Sequence, residues 1–368
     1  MRPSVPRVRY HLNRLLAGPA RKALAAVAVI VIIAAVTIVV HPRSTEGDPG
    51  VHVENETIMV AGGPGVPGRV GLDASLYVPN LPGPLPAIIM AHGFGGSKDT
   101  IAEGAYYMST QGYVVLAYSA RGFGHSTGQI ALDSLDYEVP DARALVTWLS
   151  GRPEVLQDGP GDPRVGVTGS SYGGALALML AATDKRVDVV APLITWNDLS
   201  TALFPNAADV GGDSGGTPAR VNDGGDGVFK RAWAAALLLS VVTGSGLPTG
   251  TVGPGVAINS GGFGIGSSST RNGAPARGSS GAGAFTGSGL EPAGCGRLML
   301  SVCAAYSQAA QGGRESAILA ALLHNSSPAT VLDKITAPTL LLQGEHDTLF
   351  GLDQADANAR AIAAAGTT

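Results

Sequence analysis

From Pro86 to Trp196, short apolar runs alternate with helix-patterned stretches, and this rhythm constrains the fold more than any other feature of the chain. "PAIIMAHG" reads as a buried strand, and "TIAEGAYYMSTQG" as a helix stopped at Gly112. "YVVLAYSARG" is the next strand and "VPDARALVTWLSG" the next helix. "RVGVTGSS", "YGGALALMLAATD" and "VDVVAPLITW" repeat the strand–helix–strand order. Strands joined through helices must cross over the sheet, so the rhythm predicts an α/β fold with a mostly parallel sheet and helices on both faces. "VHVENETIMV" and "VGLDASLYVP" come first, β-branched and bounded by Gly and Pro, as an antiparallel start to that sheet. "APTLLLQGEHD" and "DQADANARAIAAAG" return to strand and helix near the C-terminus.

Between Asn197 and Asp333 the rhythm stops. "FKRAWAAALLLSVV" and "RESAILAALLH" are helix-patterned, and between them residues 244–294 form a Gly/Ser-rich tract with little periodicity. Such a composition predicts disorder or a flexible loop. The expected organisation is a core over 51–196, an insertion over 197–333 and a second part of the core over 334–368. "DVGGDSGGTPARVNDGGDG" is rich in Asp, but its spacing matches no EF-hand and it reads as a polar loop. No metal cluster or phosphate loop stands out, so no cofactor is expected.

Residues 1–22 are basic, and Ala23 to Val40 are apolar apart from Thr37. At 1.5 Å per residue this run spans about 27 Å, near the hydrocarbon thickness of a bilayer. Basic residues before the run and few after it put the N-terminus in the cytoplasm. The expectation is an N-terminal transmembrane helix or signal anchor over 23–40, a single pass through the cell membrane, and an extracytoplasmic body. The alternative is a cleaved signal peptide and secretion. A net charge of -4 argues against a nucleic-acid partner, because phosphate binding needs clustered cations. The only cysteines are Cys295 and Cys303; export would favour their pairing, and two unpaired buried thiols are the other reading.

The sharpest local signal is Gly169-Ser170-Ser171-Tyr172-Gly173, a G-x-S-x-G pattern between a predicted strand and a predicted helix. An abrupt strand-to-helix turn presents the central hydroxyl, and small flanking residues avoid clashes across the turn. Ser171 is therefore the candidate nucleophile, against an ordinary turn serine; Ser170 is its turn neighbour. His92-Gly93-Phe94-Gly95-Gly96 follows an earlier strand and resembles the oxyanion loop of α/β-hydrolases; a plain glycine turn is the other reading. The N–H groups of Phe94 and Tyr172 are the candidate oxyanion donors. Asp347 follows the last predicted strand, where an acid that orients a histidine would sit; a solvated loop acid is the other reading, and Glu345 is its weaker competitor.

With these elements in this order, the chain resembles an α/β-hydrolase. "ARGFGHSTG", "VTGSSYGG" and "ITWNDLSTALFPN" further resemble the Xaa-Pro dipeptidyl-peptidase-like group, which includes peptidase family S15 and CocE/NonD-type esterases. The resemblance implies a serine hydrolase of an ester or amide in a small molecule or peptide, working through an acyl-enzyme. It also implies a helical cap, which matches the break at 197–333. The group's order of residues places a histidine after the acid, and none follows Asp347. His346 adjoins Asp347, His125 lies in a Gly-rich loop, and His92 is expected to brace its loop. The group's C-terminal β-sandwich has no counterpart. These departures predict a C-terminally truncated hydrolase; the alternative is an inactive hydrolase-fold binding module.

Overall fold

The computed structural model describes residues 50–205, 227–243 and 295–367. The basic N-terminus, the apolar run 23–40, the Asp/Gly-rich stretch 209–226 and the tract 244–294 lie outside the described residues. Among the described residues, no helix is long and apolar enough to cross a membrane.

Strands β1 (Val51–Ala61) and β2 (Arg69–Pro79) form an antiparallel pair. β3 (Ala87–Ala91), helix α1 (Ala102–Thr110), β4 (Val114–Tyr118) and α2 (Glu138–Leu149) follow. A small hairpin, β5 (Gln157–Gly159) and β6 (Asp162–Pro163), leads into β7 (Val165–Ser170), α3 (Tyr172–Thr183) and β8 (Val187–Leu193). The sheet order is β1-β2-β4-β3-β7-β8. β2 joins β4 antiparallel, whereas β4, β3, β7 and β8 run parallel. The expected mostly parallel sheet with an antiparallel start is therefore present.

Burial follows strand position. All five residues of β4 are buried, as in a central parallel strand covered on both faces. β1 is an edge strand with Glu54 and Glu56 on it, charges that discourage pairing with another chain. α3 is buried from Tyr172 through Ala182 and is apolar all round, as a helix enclosed within a core must be. Pro140 in the first turn of α2 does no harm, because its missing N–H has no intrahelical acceptor there.

Beyond β8 come the short α4 (Leu199–Leu203), then α5 (Arg231–Thr243), α6 (Leu300–Gly312), α7 (Ala317–Asn325) and α8 (Leu352–Ala364). Between α7 and α8, the expected strand at 337–347 is reduced to parallel bridges from Thr339 to Val190 and from Leu342 to Leu193. This segment extends the sheet past β8, with Leu340 and Leu342 exposed. Trp196 Nε1 donates to Ser326 O at 2.8 Å, and Asn197 bonds Gln354 and Asn358 of α8. The segment that breaks the rhythm thus grips both α7 and α8. Cys295 and Cys303 form a disulfide with Cα atoms 5.6 Å apart. It closes the segment whose Leu298 bridges Ile130.

One buried ion pair ties the antiparallel strands to the parallel part. Arg121 donates to Asp141 at 2.7 Å through Nε and at 2.6 Å through Nη2, and also to the carbonyls of Ala61 and Gly62. Both side chains are almost fully enclosed. Arg121→Ala would leave Asp141 buried and unpaired, a change that typically costs about 3–5 kcal/mol. Urea unfolding of the variant is expected to show a loss of this size.

Candidate active site

The carboxyl ends of β3, β7 and β8 gather at one edge of the sheet because the strands run parallel. Each candidate element except Asp347 leaves directly from one of these ends. Ser171 follows β7 and precedes α3 with φ 57° and ψ -112°, a strained conformation for a side-chain-bearing residue. Its N–H donates to Leu193 O at 2.9 Å, and Thr195 Oγ1 donates to Ser171 O at 2.8 Å. The same carbonyl accepts the N–H groups of Gly174 and Ala175. The backbone N–H and carbonyl of the serine are therefore both held at the turn.

The glycines of the motif are required by space. A Cβ on Gly173 would lie 2.3 Å from Ala91 O, and one on Gly169 would lie 2.6 Å from the Gly173 carbonyl. Helix α3 can start this close to β3 only without those side chains. The first turn of α3 leaves the Tyr172 N–H without an intrahelical acceptor, at the positive end of the helix dipole.

The loop after β3 lies against this turn: a Cβ built on Gly93 would sit 3.9 Å from Ser171 Cβ. Gly95, at φ 82°, lets the loop curl so that Gly96 N–H reaches Gly93 O at 3.0 Å. Among the described residues, no acceptor takes the Phe94 N–H. The Phe94 ring packs edge-on against Tyr172 at 5.4 Å and Phe123 at 5.3 Å. The two candidate donor residues are thus in direct side-chain contact.

His92 is buried, and both of its ring nitrogens are engaged. Nε2 accepts the Ala120 N–H at 3.0 Å, which puts the proton on Nδ1 for donation to Gly93 O at 2.7 Å. Burial lowers its pKa to about 4, against the pull of the Gly93 carbonyl. It braces the loop and offers no free nitrogen to a base's task. His52, His125, His324 and His346 are exposed, and none of the described histidines is hydrogen-bonded to Ser171 or Asp347.

Asp347 lies past the bridged segment, whose Leu342 pairs with Leu193, the residue that accepts the Ser171 N–H. Its Oδ1 accepts from Leu349 N–H at 2.8 Å and Phe350 N–H at 2.9 Å, and its Oδ2 from Gln343 at 3.2 Å. Glu345 is exposed. Sequence reasoning missed Thr195, the clamp on the serine carbonyl. It also missed Lys230, whose Nζ donates to Leu349 O at 2.7 Å beside Asp353 and Asp347. Burial lowers the Lys230 pKa, and the two acids oppose the shift. No spacing rule links these residues to the motifs. Among the described residues, no group of three or more His, Cys, Asp or Glu could hold a metal ion.

The family model for X-Pro dipeptidyl-peptidase (S15 family) matches residues 68–213, which include the Gly-rich loop, the serine turn and the Trp196 region. Over these residues the chain is similar to S15-type hydrolases. An uncharacterized protein, PA2218, of Pseudomonas aeruginosa is 36% identical over 126 residues, 33% of this chain and 32% of that protein. The quorum-quenching protein AidA of Acinetobacter baumannii is 31% identical over 132 residues, covering 35% and 41%. Esterase EstD of Thermotoga maritima is 30% identical over 128 residues, covering 33% and 29%. The chain thus spans between 29% and 41% of the length of these relatives.

The low His92 pKa gives a signed prediction. The fold favours neutral imidazole, so the stability this residue contributes is complete above the unfolded value of 6.5 and is lost as pH falls through about 4. Unfolding free energies measured over that window are expected to fall with pH more steeply for the wild type than for His92→Ala. The variant leaves the Ala120 N–H unpaired and is expected to be about 1–3 kcal/mol less stable at neutral pH.

Proposed function

We propose that this chain is a serine hydrolase that cleaves an ester or amide through an acyl-enzyme on Ser171. The observation that carries this reading is the clamped, positive-φ serine with the free N–H groups of Phe94 and Tyr172 beside it. In the proposed reaction, Ser171 Oγ bonds to the substrate carbonyl carbon and gives its proton to a general base. The carbonyl oxygen becomes an oxyanion facing the two N–H donors. Collapse breaks the bond to the leaving alcohol or amine, which takes the proton from the protonated base. Water then attacks the acyl-enzyme by the same route and releases the acid. Asp347 has the part of orienting and stabilising the base; its Oδ2 carries a single hydrogen bond from Gln343, so it has capacity for another donor.

Esterase EstD supports the ester class and the S15 match supports the amide class. The proposed place of action is outside the cytoplasm, on the strength of the apolar run 23–40 and the disulfide. A second reading is an inactive binding module. It is favoured by one observation, that no described histidine bonds Asp347.

The full chain, treated with a fluorophosphonate probe, is expected to label at a single serine, and Ser171→Ala to abolish labelling. Turnover of p-nitrophenyl esters or Xaa-Pro-p-nitroanilide is expected to fall by about 10³-fold or more in the same variant. A folded wild-type chain that resists the probe and turns over neither substrate class would favour the binding module.

A further inference from the structure

Behind the serine turn lies a buried polar assembly that the proposed chemistry does not use. Tyr172 supplies the N–H of one oxyanion donor, and its own side chain is 1% exposed. The phenol oxygen accepts the Asp133 N–H at 2.9 Å and donates to Glu138 Oε1 at 3.4 Å. Burial and the nearby carboxyl groups keep that hydroxyl protonated. The turn that delivers Asp133 is strained: Leu132 has φ 69° and Asp133 φ 54°, both unfavourable for residues with side chains. Glu138, 1% exposed in the first turn of α2, holds this turn in place. Its Oε1 accepts the Ala131 N–H at 2.7 Å and its Oε2 the Ser134 N–H at 2.9 Å. The Asp133 carboxyl is buried close to the same phenol; burial raises its pKa and the phenol opposes the shift.

We infer that Glu138 is a positioning residue for the oxyanion site, acting through the 131–134 turn and the Tyr172 phenol on the two N–H groups of Tyr172 and Phe94. A carboxylate at the start of a helix has an ordinary role in opposing the helix dipole. Here both oxygens are turned instead to the turn N–H groups and the phenol. The path is continuous. Glu138 shapes the turn, the turn offers one N–H to the phenol, and the phenol fixes the ring. That ring leans on Phe94 and Phe123, each at 5.4 Å. The ring and the catalytic N–H belong to the same residue, so a shift of the phenol is felt at the donor. Asp141 is already held by Arg121; of the two acids beside the phenol, Glu138 and Asp133, it is Glu138 that also binds the turn N–H groups of Ala131 and Ser134.

The inference rests on the serine reading above, and its test separates the two. Tyr172→Phe keeps the ring and removes the anchor; Glu138→Gln keeps the shape and replaces one acceptor oxygen by a donor. Both are expected to lower the fluorophosphonate labelling rate and the kcat for p-nitrophenyl acetate about tenfold, with KM unchanged. In the full chain, ¹⁵N order parameters at the amides of residues 94 and 172 are expected to fall from ~0.85 toward ~0.6, while those of β4 stay fixed. Wild-type amide order at both positions, in both variants, would overturn the inference. So would a loosening spread evenly over the sheet, which would indicate a purely structural role. If wild-type protein resists the probe, the serine reading fails, and the amide measurement still decides whether Glu138 positions these groups.

Discussion

The closeness of helix α3 to strand β3 is the constraint on which the rest of this molecule depends. Nothing larger than hydrogen fits at Gly173 or Gly169, because the Ala91 carbonyl and the helix backbone occupy the space. That proximity forces the chain to turn within a single residue, and Ser171 absorbs the turn at φ 57°. Strain at one residue persists only where its surroundings over-determine it. Here the surroundings are Leu193 O, Thr195 Oγ1 and the first N–H groups of the helix. The loop after β3 lies beside the same turn, with a Cβ built on Gly93 only 3.9 Å from Ser171 Cβ.

Around this turn, buried polar groups act mainly as braces. His92 spends both nitrogens on backbone, one toward its own loop and one toward Ala120 after β4. Arg121 joins Asp141 to the end of β1, and Glu138 pins the strained turn under Tyr172. Four aromatic rings, of His92, Phe94, Phe123 and Tyr172, connect the braces edge to face. Such contacts contribute about 0.5–1.5 kcal/mol each beyond their burial, and they transmit position as well.

Much of this was legible in the sequence where the signal is local. β4, α3 and the two antiparallel strands were expected from hydrophobic runs and turn residues, because burial on both faces or one face writes itself into the pattern. Segment 339–342 was expected as a full strand and pairs only at Thr339 and Leu342. Helix α6 was not expected, since its mixture of Ser, Gln and Ala carries a weak pattern and follows the low-complexity tract. The hairpin β5–β6 is too short to leave a periodic trace. The disulfide, left open on sequence grounds, is formed within the segment whose Leu298 bridges Ile130.

By itself, the sequence determined the α/β class, the serine turn and the Gly-rich loop. Each depends on residues close together along the chain, where sterics and periodicity act. Only the tertiary structure decided that the His92 brace reaches Ala120, that Thr195 clamps the serine carbonyl, and that Glu138 reaches Tyr172 beside a strained turn. These partners are 34, 28 and 24 positions apart for Glu138–Tyr172, His92–Ala120 and Ser171–Thr195. A hydrogen bond acts over about 3 Å, so which distant groups meet is settled by the packing of strands and helices, and no local pattern records it.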